Sequence, residues 1–306
     1  MKNKLLLLAL GAMALAFSFS CKKEAPNIFT MFKDVTLELD STSNKFNVGQ
    51  YTQLNDGDSF YIDFTIKSAV KDMYQVAVFK MGSAIPFLRI PVENASDRRS
   101  FSDIVRLKAS EGVGTHTYRI WAYDQDGVYI GDGYKTITID VQNNYVHLPF
   151  RRVYFPDDVS TSLASYLDIT GGKAYGYADG AANSANIDLG VYRNSSGANF
   201  LYSLSANPLP YTPFDISSWT KKGTLFANPH NNQQNTFNRN LHSGSAIESY
   251  AKGRNPNRTS LSSAFALNSV IAFKTPEGKY GALLVTGVNN DYSGNPYVEF
   301  SIKYQQ

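Results

Sequence analysis

The stretch FYIDFTIK, residues 60–67, decides the fold class of this chain. Every second residue from Phe60 to Ile66 is apolar, so one face of the segment is apolar and the other is largely polar. The preceding NDGD, residues 55–58, contains the residue types that favour tight turns. The pattern predicts a half-buried β-strand entered from a turn, and it is the clearest strand in the sequence.

Similar alternation recurs on both sides of this strand. Further strands of the first half are predicted at 35–40, 74–81, 100–107, 115–123 and 134–141. Roughly seven short strands at this spacing favour a β-sandwich. Beyond Val146 strands are separated by longer polar loops, and the chain closes with a hairpin at 270–288 and a strand at 297–304. A short helix is predicted at 245–252, with Ser245 as its cap and Glu248 three residues on.

The run GTHTYRIWAYD, residues 114–124, resembles the penultimate strand of bacterial Ig-like domains. YKTITIDV, residues 134–141, takes the place of the last strand of such a domain. The resemblance covers residues 34–143 and implies an Ig-like β-sandwich. We therefore predict an all-β fold, with an Ig-like domain at 34–143 and a β-rich C-terminal domain with long loops at 144–306.

The N-terminus has the order of an export signal. Lys2 and Lys4 precede the apolar run Leu5–Phe17, which is shorter than the ~20 residues that span a bilayer. The only cysteine, Cys21, follows FSFS, and this segment resembles a bacterial lipobox. The resemblance implies that the signal peptide 1–20 is removed and that Cys21 is lipidated, with 21–33 as a tether. A secreted protein with an incidental cysteine and an uncleaved anchor are the alternatives.

The residues that follow the cysteine indicate where the protein is located. CKKE, residues 21–24, resembles the charged starts of surface lipoproteins of the Bacteroidetes type. This implies a lipid-anchored protein of the outer membrane or cell surface, with the membrane as a partner through Cys21.

Charge and cysteine content argue against a nucleic-acid-binding protein and against a fold held by disulfides. The chain has 29 basic and 26 acidic residues, and removal of Lys2 and Lys4 with the signal leaves a net charge of +1. No basic stripe is present, so nucleic acid is not an expected partner. A single cysteine permits no intramolecular disulfide, so the fold must be held by packing.

Aromatic residues are concentrated in the second half, and Trp219, Tyr175, Tyr177 and Tyr211 are candidate ligand-binding residues. Stacked rings beside Asn, Asp and Gln side chains would suit a sugar in a concave site. Ordinary half-buried strand tyrosines are the alternative interpretation.

The segment IAFKTPEGKYG, residues 271–281, resembles the closing hairpin of Bacteroidetes-type surface lipoproteins and, more loosely, of haem-scavenging lipoproteins of the HmuY type. The second resemblance implies haem capture, with His230 and His242 as candidate axial ligands. Exposed loop histidines are the alternative. The four histidines form neither His-x-x-x-His nor His-Glu-x-x-His, which argues against a zinc hydrolase.

A weak candidate metal site begins with DQDG, residues 124–127. Asp124, Asp126 and the nearby Asp132 are its candidate ligands. Position twelve is Lys135 rather than glutamate, which excludes an EF-hand, and a hairpin turn is the alternative. No cofactor is predicted.

Three functional hypotheses follow. The first is a non-enzymatic binding or adhesion protein, in which the Ig-like domain is a spacer and the C-terminal domain binds a glycan or a surface protein. The second is a haem or nutrient-capture lipoprotein that works with an outer-membrane transporter. The third is a glycan-active enzyme, which no motif supports.

Overall fold

The stretch FYIDFTIK lies within the strand β3 (Ser59–Ser68). Phe60, Ile62, Phe64 and Ile66 are at most 1% exposed, and the residues between them are partly exposed. Side chains alternate between the two faces of a strand, and only one face of this strand is covered. The predicted strand is confirmed.

A computed structural model describes residues 34–157 and 159–306. Within these ranges the chain has eighteen strands, three short α-helices and one 3-10 helix at Ala95–Asp97. The predicted all-β fold is confirmed. Among the described residues, none of the helices combines the length and the apolar character of a membrane-spanning helix. Cys21, the predicted signal peptide 1–20 and the predicted tether 21–33 lie outside the described residues.

Nine strands of the first half form two sheets, with the orders β1-β3-β6 and β2-β9-β7-β4-β5, and β8 pairs with β7. Besides β3, these strands are β1 (Val35–Leu39), β2 (Tyr51–Leu54), β4 (Gln75–Lys80), β5 (Leu88–Pro91), β6 (Ser100–Lys108), β7 (Gly114–Tyr123), β8 (Tyr129–Gly131) and β9 (Ile137–Val141). The β4–β7 pair is antiparallel, and β2 runs parallel to β9.

The second half forms two antiparallel sheets, with the orders β10-β18-β17-β16-β15 and β12-β11-β13-β14. Their strands are β10 (Tyr145–Tyr154), β11 (Tyr166–Asp168), β12 (Lys173–Tyr175), β13 (Leu189–Arg193), β14 (Asn199–Ser203), β15 (Leu225–Phe226), β16 (Val270–Lys274), β17 (Tyr280–Asn290) and β18 (Pro296–Gln305). The helices are α1 (Tyr177–Asn183), α2 (Gln234–Arg239) and α3 (Gly244–Arg254).

Both sheets of the second half contribute to one apolar core. Leu167 and Val191 from one sheet join Phe273, Leu283 and Phe300 from the other, and all five are fully buried. Burial of a side chain of this size contributes about 1.5–3 kcal/mol. This core fixes the sheet that contains β12 and β14, whose neighbouring loops carry many aromatic residues.

Helix α3 begins one residue before the predicted start, and its cap is Ser243 rather than Ser245. The Ser243 side chain accepts a hydrogen bond from the Ala246 backbone N–H at 3.2 Å. Glu248 lies on a later turn, where it pairs with Lys252 rather than completing a capping box.

The chain divides into two compact units whose segments alternate along the sequence. The first contains the described residues up to Leu39 together with Phe64–Asp103 and Tyr118–Thr136. The second contains Asp40–Asp63, Ile104–Thr117 and Ile137–Gln306. Several strands of the first half have residues in both units. The domain ranges 34–143 and 144–306 stay predictions.

Candidate functional site

The four aromatic residues singled out in the second half lie in one apolar cluster. Trp219 is in its buried part, and Tyr175, Tyr177 and Tyr211 pack against it as partly buried residues. They arrive from β12, from helix α1 and from the long loop between β14 and β15. The structure therefore brings these four side chains together, although they are up to 44 positions apart in the sequence.

Trp219 is a buried packing residue of this cluster, and its role in binding a ligand stays a prediction. Its side chain is only 6% exposed. Tyr166 meets the indole edge-on at 4.9 Å, and Tyr177 stacks on it at 5.7 Å between ring centroids. Gly180 of α1 lies so close that a Cβ there would be 2.1 Å from the indole.

The accessible rim of the cluster is formed by half-buried rings. Tyr177 stacks on Phe214 at 4.6 Å, and Tyr211 stacks on Tyr192 at 5.8 Å. The Tyr177 hydroxyl donates to the carbonyl of Asp215, and the Tyr211 hydroxyl donates to the carbonyl of Pro156. These hydrogen bonds fix the two tyrosine rings, so the rim is ordered before any ligand arrives.

Two concave surfaces flank the loop that carries Tyr211 and Phe214. One has a volume of about 380 Å³ and is lined by Phe214 together with Asp215, Ser217 and Lys221. The other, of about 680 Å³, is lined by Tyr211 and Asp157. Thr212 and Pro213 belong to both surfaces. We call this loop with its two concave surfaces the Phe214 rim.

The electrostatics of the cluster change from its centre to its rim. Burial raises the pKa of Tyr166 to about 12 and raises the pKa of Tyr202 further, so both phenols are neutral hydrogen-bonding groups. At the rim, a hydrogen bond from the Ser217 backbone lowers the pKa of the exposed Asp215, with a further contribution from Lys221. The rim therefore presents an anionic and a cationic group beside aromatic rings.

The two candidate haem ligands have different surroundings. His230 pairs through its backbone with Val270, and its Nδ1 lies 3.4 Å from the Tyr250 hydroxyl. Burial lowers the pKa of His230, and the nearby Arg254 charge lowers it further. His242 lies against Gly112, and its buried Nδ1 has no hydrogen-bond partner among the described residues. Axial haem ligation by this pair stays a prediction.

The predicted metal ligands Asp124, Asp126 and Asp132 do not form a metal site. No group of three or more metal-ligating side chains is found in the described part of the chain. Asp132 is 1% exposed and pairs with Arg119 at 2.5 Å. Asp124 accepts backbone hydrogen bonds from Asp126 and Val128, which is the geometry of the alternative hairpin turn.

Sequence reasoning missed two groups of residues. Phe214 and Thr212 lie beside Tyr211, but proximity in sequence does not reveal which of them line a concave surface. A second aromatic group, Trp121 and Tyr123, belongs to the run whose resemblance predicted only the fold. Its alternation, with Tyr118 and Ile120 facing inward, was a readable signal that Trp121 faces outward.

No protein-family model matches this chain, and no curated protein sequence matches it. Among solved structures, it is similar to the sulfur carrier protein SoxY from Chlorobium limicola, with 9% identity over 36% of this chain and 79% of that chain and a TM-score of 0.23.

Two adhesin structures from Streptococcus sanguinis are also similar to this chain. A mutant of the SrpA adhesin has 12% identity over 55% of this chain and 87% of that chain, with a TM-score of 0.24. The sialic acid binding region of a Streptococcus sanguinis SK1 adhesin has 12% identity over 89% of this chain and 77% of that chain, with a TM-score of 0.24. Sequence identities and TM-scores this low establish neither a shared family nor a shared ligand.

Proposed function

We propose that this chain is a non-enzymatic binding or adhesion protein of the outer membrane or cell surface, anchored through a lipidated Cys21. Its ligand in this proposal is a glycan, bound at the Phe214 rim. The lipobox-like end of the signal supports the anchor, and the residues after it support the location. Lipid anchoring with more than one acyl chain is stable, so such a protein would remain at the membrane while it binds.

The observation that carries the glycan proposal is the ordered aromatic rim beside polar side chains. The negative face of an aromatic ring attracts the weakly positive C–H groups of a sugar ring. Thr212, Ser217 and Asp215 offer hydroxyl and carboxylate groups to sugar hydroxyls, and Lys221 adds a donor. A concave surface with few polar groups around an apolar centre is the common form of a small-ligand site.

The test is glycan-array binding by the purified, detergent-solubilised protein, followed by calorimetry with each ligand found. We expect Phe214→Ala to weaken binding at least tenfold, because it removes an aromatic face of the rim. Tyr292→Ala is the matched control, since Tyr292 is a fully exposed ring elsewhere in the same unit. The control should bind as the unmodified protein does.

The thermal unfolding of each variant separates a lost contact from a lost fold. The proposal is wrong if the array shows no ligand, or if Phe214→Ala binds with unchanged affinity while folded. Release of shorter oligosaccharides from any array-positive polysaccharide would contradict the non-enzymatic part.

A further inference from the structure

One face of strand β7 carries a row of large side chains. On β7, Tyr118, Ile120 and Ala122 are buried, whereas Arg119, Trp121 and Tyr123 point to the other face and are partly exposed. The antiparallel register places Ala77 of β4 opposite Trp121. A small residue at this cross-strand position leaves room for the indole beside it.

Three aromatic rings meet on this face. Trp121 lies 4.9 Å from Tyr129 and 6.4 Å from Tyr123 between ring centroids, and Tyr123 lies 6.3 Å from Tyr129. On its other side Trp121 packs against the buried Phe79 at 4.2 Å. The three outer rings therefore form one continuous aromatic surface, and Phe79 lies beside it on the same face.

Trp121 is a costly choice for stability alone. Its Nε1–H is buried and has no hydrogen-bond partner among the described residues. A buried donor without an acceptor lowers stability, and a phenylalanine at this position would avoid that loss.

Buried polar contacts hold the edge of the aromatic surface in place. Arg119 donates to Asp132, which is 1% exposed, and Tyr129 interacts with the same carboxylate. Burial raises the pKa of Tyr129, and the Asp132 charge raises it further, so the phenol stays protonated. The Arg119 charge is thereby committed to a buried anion of the protein.

Arg89 is an exposed cation on the same face. It lies on β5 opposite Ala77, on the face that carries Trp121, and it is exposed. Its guanidinium donates to the neutral Gln75 side chain at 2.6 Å, and its charge acts on Tyr123. No carboxylate pairs with Arg89 within the part of the chain that the structure describes. The guanidinium therefore has donors left for an external anion.

From this arrangement we propose that Trp121, Tyr123, Tyr129 and Arg89 form a second binding surface, which takes a saccharide that carries a carboxylate. The rings stack against the sugar, and Arg89 binds the carboxylate with the planar geometry that suits bidentate recognition. All four residues belong to the first unit, whereas the Phe214 rim belongs to the second.

The test is calorimetric binding of hexuronic-acid and sialic-acid oligosaccharides and of their methyl esters by the detergent-solubilised protein. The esters keep each sugar ring but remove its charge. We expect at least one acid to bind at least tenfold more tightly than its ester. Arg89→Gln should abolish this difference in affinity. Tyr123→Leu should weaken the binding of both the acid and its methyl ester. Arg106→Gln, which removes an exposed charge from β6, should leave the preference intact.

The proposal is overturned if no acidic saccharide binds, if acid and ester bind equally, or if Arg89→Gln keeps the preference. Phe214→Ala separates this site from the other one. A preference for the acid that survives Phe214→Ala and disappears in Arg89→Gln supports the second surface whether or not the rim binds a glycan.

Discussion

Phe150 has a backbone conformation that a bulky residue rarely adopts. Its φ is +56°, and its side chain is 68% exposed at the irregularity between Leu148 and Arg151 in β10. The left-handed region costs a residue with a side chain about 1–2 kcal/mol. Glycine escapes this cost but loses more backbone entropy on folding, by roughly 0.5–1 kcal/mol relative to alanine. The two effects oppose each other at this residue.

We therefore predict that Phe150→Gly is more stable than Phe150→Ala, by up to about 1 kcal/mol. Both variants lose the ring, so the comparison isolates the backbone. The same pair of substitutions at Thr115, an exposed residue of β7 without a positive φ, should give the opposite order. Urea denaturation measures all four. An alanine variant that is the more stable at both positions would refute the strain at Phe150.

Gly180 of helix α1 and Gly253 of helix α3 have different surroundings. In an exposed helix interior, glycine to alanine is stabilising by about 0.5–1 kcal/mol. A methyl group added at Gly253, in the last turn of α3, would have nothing within 4 Å, so Gly253→Ala should give a gain of up to this size. At Gly180 of α1 the same methyl group would collide with Trp219 at 2.1 Å.

Gly180→Ala should therefore destabilise the protein by about 1–3 kcal/mol, the usual cost of overpacking a core. Chemical denaturation of both variants gives the comparison directly. A gain in stability at both positions would mean that Trp219 moves aside easily and is not fixed in the core.

Helix α3 is joined at its N-terminus to the turn before β3. The Asp56 carboxylate accepts from the Ser245 backbone N–H at 2.9 Å and from the Asn144 side chain at 3.1 Å. Burial acts to raise the pKa of Asp56, but hydrogen bonds from Ser245 and Asn144 outweigh it and lower the pKa below its ordinary value. An anion at a helix N-terminus also interacts favourably with the helix dipole.

Because the folded pKa of Asp56 lies below the unfolded value, its ionised form stabilises the fold above about pH 4. This contribution is lost as the pH falls through the folded pKa. We expect Asp56→Asn to lower the unfolding free energy by about 1 kcal/mol at pH 7 and by less at pH 3. Asp126→Asn, an exposed turn carboxylate of the other unit, is the charge control. An equal loss at both pH values would contradict this role.

At the scale of the whole molecule, local alternation was sufficient to predict β3, β7 and β18, because period-2 patterns report which face is covered. Contacts between residues far apart in the sequence could not be predicted from it. The burial of Trp219 was not predicted, because nothing in the sequence places Gly180 against its indole. Asp132 looked like a metal ligand because its pairing with Arg119 depends on the register of β7 and β8. The cap of α3 was misplaced by two residues because Ser243 and Ser245 are equivalent in type.

The proposed attachment of the protein to a membrane depends on a single residue, Cys21. A lipobox-type cysteine bears several acyl chains, and each buried methylene adds about 0.8 kcal/mol of membrane affinity. Cys21→Ser should therefore move the protein from the membrane pellet to the soluble fraction or leave it as an unprocessed precursor. Lys22→Ala, which changes the next residue, should stay in the pellet at its mature size. Mature Cys21→Ser protein that still sediments with membranes would contradict the anchor.

A separate experiment tests the location. Digestion of the unmodified protein by protease added to intact cells would support a cell-surface location, because a protease cannot reach a protein held behind the outer membrane.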